Sequence, residues 1–292
     1  MKPKYSIIIS LRNRHEFLKR CLHCVDWQTF TDYEVIVVDY DSQPPTEIQS
    51  LPPNTRLLRR TVQEKINKKT LGEYTDMWNH PRAMNMGIAN ARGKYVFILN
   101  CDILMSPDLL EIVDGLIEEY DGRHIYWQRF DLTPLGLRFL EGLEWAQVRE
   151  MFETDQVPHQ FISHGMGKWH SFTAFGDMAV FQRRWLLNVG GFDERLAQWG
   201  FYDGDMCRRL KHLGYAEYWG TSFKIVHMFH LAQTEIDSTV TWGKKRNSEL
   251  VGIDTRERKV VKNEGMYTFL PYRIRDRSRS NLLQETKQEG EL

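Results

Sequence analysis

Two carboxylates stand at the head of an amphipathic run in the stretch VGGFDERLAQWGFYDGDMCRRLKHL, Val189 to Leu213. Asp203 and Asp205 follow Trp199-Gly200. Met206, Leu210 and Leu213 recur at i, i+4 and i+7 and Gly214 supplies a stop, so the spacing predicts a helix with Asp203 in its first turn. Unpaired N–H groups and the helix macrodipole favour carboxylates there. Such an acid most often caps the helix, as most Asp residues before helices do. Two acids beside a Trp-Gly pair exceed what a cap requires.

The elements that would position further chemistry lie upstream. Tyr5 to Ser10 is a β-branched apolar run, followed by Leu11-Arg12-Asn13-Arg14 and a helical pattern through Phe17, Leu18, Cys21, Leu22 and Val25. Glu34 to Val38 is a second apolar strand and ends in Asp39-Tyr40-Asp41-Ser42. Pro81 to Ala91 reads as a helix with Pro in its first turn, ended by Gly93. Lys94 to Leu99 is a third strand, delivering Asn100-Cys101-Asp102; Ser106-Pro107 then caps and starts a helix through Leu109, Leu110, Val113, Leu116 and Ile117. Strands without alternation, joined through helices, predict a doubly wound α/β sheet whose ligands bind beyond the strands' carboxyl ends. Asp39 and Asp102 then share one edge. The sequence contains no G-x-G-x-x-G after the first strand and no G-x-x-x-x-G-K-[ST], which argues against dinucleotide enzymes and P-loop NTPases. A diphosphate here would be held through a divalent cation on one or two carboxylates. Ser222 to Val226 reads as a strand running into His227-Met228-Phe229-His230, a spacing that can place an imidazole beside that cation, with His227 slightly preferred.

Composition sets the limits. The 292 residues are 41% hydrophobic and 12% aromatic, enough for a folded core. Lys+Arg and Asp+Glu both number 39, so no global basic field exists to draw nucleic acid. Cys21 and Cys24 form a C-x-x-C, but Cys101 and Cys207 supply no second pair, which favours buried thiols over a structural zinc. The opening MKPKYSIIIS has no cleavage-type segment and no run of about 18 apolar residues occurs, so a cytoplasmic protein without a transmembrane segment is expected.

Taken together, SIIISLRNR, Gln28-Thr29, EVIVVDYDS, the Arg82-Ala-Met-Asn85-Met-Gly87 block, the strand ending in N-C-D, and GGFDE…WGFYDGD…RL resemble the nucleotide-sugar glycosyltransferases of the GT-A fold. The nearest likeness is to the inverting family 2, with a galactosyltransferase-like C-terminal half, over roughly Lys4 to His230. The resemblance implies a Rossmann-like, mostly parallel sheet with helices on both faces. It also implies that Asp39 contacts the base of a UDP-sugar donor, that Arg82 lies near the donor, that Asn100 and Asp102 stand for the D-x-D that binds the metal-diphosphate, and that Asp203 is the catalytic base. A later histidine, His227 or His230, completes the shell of Mn²⁺ or Mg²⁺. Two departures stand out: Asn100 replaces one acid of the D-x-D, and Tyr202 replaces the acid that precedes the base. Since that lost acid commonly holds an acceptor hydroxyl, Trp199, Gly200 and Tyr202 become the candidate acceptor contacts and the acceptor's identity stays open.

The expected organisation is one GT-A domain over 1–254, with a nucleotide-sugar half (1–121) and an acceptor-binding and catalytic half (122–254), then a charged extension over 255–292. The aromatic stretch from Tyr126 to Phe175 is expected over the acceptor side, where Trp and Phe faces suit sugar rings. His159, His164 and His170 within it are read as structural. Arg273, Arg275, Arg277 and Arg279 are read as a solvated tail, with peripheral membrane contact the minority reading. The expected partners are the nucleotide-sugar donor and a glycan or other hydroxyl acceptor. A noncatalytic glycan-binding relative is the alternative; a nucleotidyltransferase would need the absent Gly-rich loop.

Overall fold

Apolar runs as continuous as those at Tyr5, Glu34 and Tyr95 need cover on both faces, and the computed structural model shows how they obtain it. It describes residues 2–47, 49, 51–52, 54–60, 78–120, 123–154, 161–162, 178–197, 200–220, 222, 224–230 and 247–251. In chain order the elements are β1 (Tyr5–Leu11), α1 (His15–Asp26), β2 (Tyr33–Tyr40), β3 (Thr55–Arg60), α2 (His80–Asn90), β4 (Tyr95–Asn100), β5 (Ile103–Met105) and α3 (Leu109–Glu119). There follow β6 (Arg123–Trp127), β7 (Phe130–Asp131), α4 (Pro134–Glu141), α5 (Trp145–Thr154), β8 (Met178–Gln182), α6 (Arg183–Val189), α7 (Tyr202–His212), β9 (Ala216–Gly220) and β10 (Ile225–His227).

Seven strands form one sheet in the order β3-β2-β1-β4-β8-β6-β9, parallel throughout except for β8, which runs against both β4 and β6. The mostly parallel α/β architecture expected from the sequence is therefore present. Alternate residues of each central strand serve opposite layers. Ile7, Ile9, Val35, Val37, Phe97 and Leu99 pack with α1 and α3, whereas Ile8, Ile36, Val38, Val96 and Ile98 pack with α2, α6 and α7. The order reverses at β1, which lies between β2 and β4, so Ser10, Val38 and Asn100 stand level at the carboxyl edge.

A second sheet, β5-β10-β7, is built from strands of only two or three residues. Two residues separate the end of β4 from the start of β5, and β10 pairs antiparallel with β5, setting His227 opposite Ile103. β7 pairs parallel with β10 and sets Asp131 opposite His227.

Two local expectations are corrected. The strand expected over Ser222 to Val226 is Ile225–His227, so His227 lies in the strand rather than after it. Ser106 does not cap the helix after β5 through its side chain; its hydroxyl donates to Asp108 Oδ1 at 2.6 Å, and the Leu110 N–H is accepted by Gln28 Oε1 at 3.1 Å. Gln28, buried, also donates to the carbonyls of Cys24 and Ser106 at 3.0 and 2.7 Å, stitching the end of α1 to the start of α3. All four cysteines are buried and unpaired, as the lone C-x-x-C suggested.

The opposite layer is held by a clamp between two distant blocks. Asn85 on α2 accepts the Phe192 N–H at 2.8 Å and donates to the Phe192 carbonyl and Glu194 Oε1 at 2.9 and 3.0 Å. Gly191 permits this approach, because a Cβ there would lie 2.3 Å from Asn85 Oδ1 and its φ is +77°. Below it, the fully buried Arg209 of α7 donates to Asp205 at 2.7 Å and to the carbonyls of Val189 and Gly191 at 3.2 and 2.8 Å. Removing one partner of a buried pair leaves the other charge uncompensated. Asp205→Asn is therefore expected to destabilise the protein by about 3 kcal/mol, the lower end for such a pair because Arg209 keeps its carbonyl partners. A urea titration with unchanged slope and a lowered midpoint checks this.

Candidate functional site

Three side chains meet beyond the carboxyl ends of β4 and β10. Asp102 follows β4, His227 closes β10 and His230 lies three residues on; each offers one ligand atom, and these atoms all lie within 4.8 Å of one another. His230 Nε2 is 3.2 Å and His227 Nε2 3.7 Å from Asp102 Oδ2, so both histidines of the H-x-x-H reach the carboxylate. The Met228 N–H donates to the Asp102 carbonyl at 2.8 Å and pins the two segments together.

The electrostatics follow from burial and proximity. Burial alone would raise the Asp102 carboxyl, but His227, His230 and Arg14 outweigh it and hold Asp102 well below the usual carboxylate range. Burial opposes a charge on His227 as well; Asp102 and Asp131 overcome it and raise the imidazole to about 9. Arg14, just after β1, donates through Nη1 to Asp102 Oδ2 at 2.7 Å.

The residues fit a divalent cation on two grounds. Asp102 Oδ1 is buried with no hydrogen-bond partner among the described residues, a lone pair that a cation would satisfy. His227 Nδ1 lies 3.1 Å from Asp131 Oδ1, the carboxylate–imidazole arrangement that orients a metal-binding histidine from behind. One carboxylate and two imidazoles can ligate a divalent metal ion and leave positions for oxygen ligands.

Asn100 ends β4 half-buried at the same edge. Asp39 is fully buried at the end of β2, and its two oxygens accept the N–H groups of Ser42 at 2.9 Å and Thr46 at 2.6 Å. Burial alone would raise its carboxyl, but these bonds hold it low, so Asp39 shapes the loop that borders the edge. Arg82 is joined to Glu194 at 2.9 Å, which makes the Arg82-to-Gly87 block and the GGFDE block a single contact.

Asp203 lies in the first turn of α7, half-buried, with one oxygen accepting the Gly204 N–H at 2.9 Å. It lines a cavity with His80, Tyr126, Phe192, Tyr202 and Met206. His80 links this cavity to the metal-ligand cluster: its Nδ1 is 3.3 Å from Ser10 Oγ at the end of β1, and the charge of Asp102 acts on it, although burial pushes the imidazole down to about 4. The neighbouring acids are engaged elsewhere, Asp193 by Arg195, Glu194 by Arg82, and Asp205 by Arg208 and Arg209. Gly200 and Phe201 both have positive φ, 89° and 70°, and Asn247 donates to the Gly200 carbonyl at 3.3 Å, so the turn into α7 is held in a sparsely populated conformation. Tyr202 is buried and its ring lies 4.7 Å from that of His80. Trp199, residues 155–160 and 163–175 of the aromatic stretch, with His159, His164 and His170, and the extension over 255–292 lie outside the described residues.

Sequence reasoning missed Arg14, Asp131 and His80. Arg14 stood inside a quoted motif without a role, and Asp131 is 96 residues from His227, brought to it by the β7–β10 pairing.

The chain matches the family described as "Glycosyltransferase like family 2" over residues 6–226. It is 24% identical over 230 residues to chondroitin synthase of Escherichia coli, covering 72% of this chain and 32% of the relative. It is 25% identical over 215 residues to the amylovoran biosynthesis glycosyltransferase AmsB of Erwinia amylovora, covering 72% and 65%. The chain thus spans about a third of the first relative's length. Among solved structures, S. aureus TarS is similar in fold, with a TM-score of 0.52 at 14% identity over 87% of this chain and 39% of that one. Its fragment 1-349 in complex with UDP-GlcNAc gives 0.51 at 14% identity over 80% and 60%. Among the described residues no helix is long and apolar enough to cross a membrane.

If Asp131 orients His227 for a cation, Asp131→Asn is expected to weaken Mn²⁺ binding by about 10- to 100-fold while every ligand atom stays in place. Calorimetric titration of the purified protein with Mn²⁺ alone measures it.

Proposed function

The chain belongs to glycosyltransferase family 2, and from that premise we propose that it is a metal-dependent inverting enzyme that moves a sugar from a UDP-sugar to an acceptor hydroxyl in polysaccharide synthesis. The observation that carries this is the Asp102–His227–His230 cluster at the carboxyl edge of a family 2 domain, with Asp203 at the head of α7 in the opposite layer. The names of the relatives, a chondroitin synthase and an amylovoran biosynthesis glycosyltransferase, support the polysaccharide setting. The UDP-GlcNAc complex of TarS, a protein alike in fold, supports a nucleotide-sugar donor.

In this reading Asp39 and its loop border the nucleotide, Arg82 and Asn100 border the donor, and Asp102 with His227 and His230 holds Mn²⁺ or Mg²⁺. A cation held by these residues would supply neutralisation of the charge developing on the leaving diphosphate, a task for which the sequence provides no phosphate loop. Asp203 accepts the proton of the attacking hydroxyl, and attack in line with the leaving group inverts the anomeric centre. Gly200, Tyr202 and Trp199 border the acceptor. The GT-A domain is assigned to 1–254, with 1–121 for the donor and a galactosyltransferase-like 122–254 for the acceptor. A noncatalytic relative would bind a donor without releasing UDP, so release of UDP across a panel of UDP-sugars with simple acceptors separates the readings.

Asp203→Asn distinguishes a base from a cap. Asn is nearly isosteric and caps well, so a capping role predicts retained activity. A base predicts a loss of about 10²- to 10⁴-fold in kcat with UDP affinity and thermal midpoint nearly unchanged. Excess EDTA is expected to abolish transfer, and Mn²⁺ to restore it; full turnover in EDTA would sink the metal assignment.

A further inference from the structure

Arg14 is the cationic group that touches the cluster of metal ligands without being able to serve as one. Its Nη1 donates to Asp102 Oδ2 at 2.7 Å, and Nη2 lies 3.4 Å from His230 Nδ1. The guanidinium sits 5.6 Å from the Phe17 ring, which meets the His230 ring edge-on at 6.0 Å, so one aromatic side chain braces both groups.

Two consequences follow from donor and acceptor chemistry. Asp102 Oδ2 faces Arg14, His227 and His230 together, so a divalent cation ligated by this carboxylate, through Oδ2 or through the unpartnered Oδ1, would share the group with a guanidinium at hydrogen-bond distance. Two cations on one carboxylate repel each other. In addition, Nη2 of the same guanidinium lies against His230 Nδ1, so Arg14 crowds a second candidate ligand along with the carboxylate.

We infer that Arg14 is an internal competitor for the divalent cation at Asp102 and His230, and that the diphosphate of the donor draws its guanidinium away, so that nucleotide and metal bind cooperatively. This rests on the metal-dependent reading above. Diphosphate is the chemistry a displaced guanidinium at this edge would take, since its planar fork matches phosphate oxygens as it matches a carboxylate. Nucleotide binding then frees Oδ2 and the His230 ring for the cation, and by linkage the cation favours the nucleotide to the same degree.

The test is a thermodynamic cycle on the full chain: Mn²⁺ titrated with and without UDP, corrected for the Mn²⁺–UDP complex formed in free solution, for wild type and Arg14→Gln. The inference expects Arg14→Gln to bind Mn²⁺ alone more tightly by at least about fivefold, the low end for coupled sites, and to show a smaller enhancement by UDP than wild type. Arg14→Lys keeps a charge but cannot bridge Asp102 and His230 at once; it is expected to fall between the two and serves if the Gln variant does not fold. A purely structural Arg14 would lower metal affinity or leave it unchanged, and either result overturns the inference. Mn²⁺ binding that is equal in all three proteins overturns this inference alone. Absence of Mn²⁺ binding from all three, with or without UDP, overturns the metal reading beneath it as well.

Discussion

A carboxylate withdrawn from water needs partners, and the position of Asp102 depends on that need. At 7% exposure its charge would cost several kcal/mol if unpaired. The chain supplies Arg14 from the segment after β1 and two imidazoles from β10 and the residues beyond it. Bringing β10 to Asp102 requires a strand for it to pair with, and β5 is that strand; β10 then offers its other edge to β7, which carries Asp131 to His227. A sheet of two- and three-residue strands would not stand alone. It persists because it packs into the layer holding Ile103, Leu104, Met105, Ile225 and Val226 and because its polar ends satisfy one charge.

The opposite layer solves a different problem. There Asp203 stands half-buried at the head of α7, and the acids around it are each engaged by named partners. Asp205, two residues along, takes the arginines of its own helix, while Glu194 takes Arg82 and Asn85. These pairings fix α7 against α2 and the Gly190-Gly191 turn from beneath. The Asp102–His227–His230 cluster and Asp203 are thus delivered from opposite layers that share the sheet between them, with His80 reaching Ser10 at the sheet edge and lining the cavity of Asp203.

Much of this was readable in the chain. β1, β2, β4 and α2 were legible because strands buried on both faces must be uninterrupted runs of apolar residues, and α7 because its stripe recurs at helical spacing. The strand ends located Asp39, Asn100 and Asp102, and H-x-x-H drew attention to His227 and His230. β5, β7 and β10 were not legible as pairing partners, since three residues carry no periodicity. Nor could the cap of α3 be read from Ser106, because the group that bonds Leu110 comes from Gln28, 82 residues away. Arg14 and Asp131 escaped for the same reason: a contact across 88 or 96 positions is written in the pairing of strands, not in local spacing.

The junction between the two sheets has a consequence for how such a protein can vary. Only Cys101 and Asp102 separate the end of β4 from the start of β5, three residue steps that reach at most about 11 Å. Loops at most edges of an α/β sheet tolerate added length, because slack at the surface costs little entropy. Here an added residue has nowhere to go. It would either push Asp102 past His227 or shift β5 by one position, and a one-residue shift turns every side chain of a strand to its other face, exposing Ile103 and Met105 or burying them against the wrong layer. The length of this junction is thus fixed by geometry even where the identity of its first residue, a buried cysteine, is not.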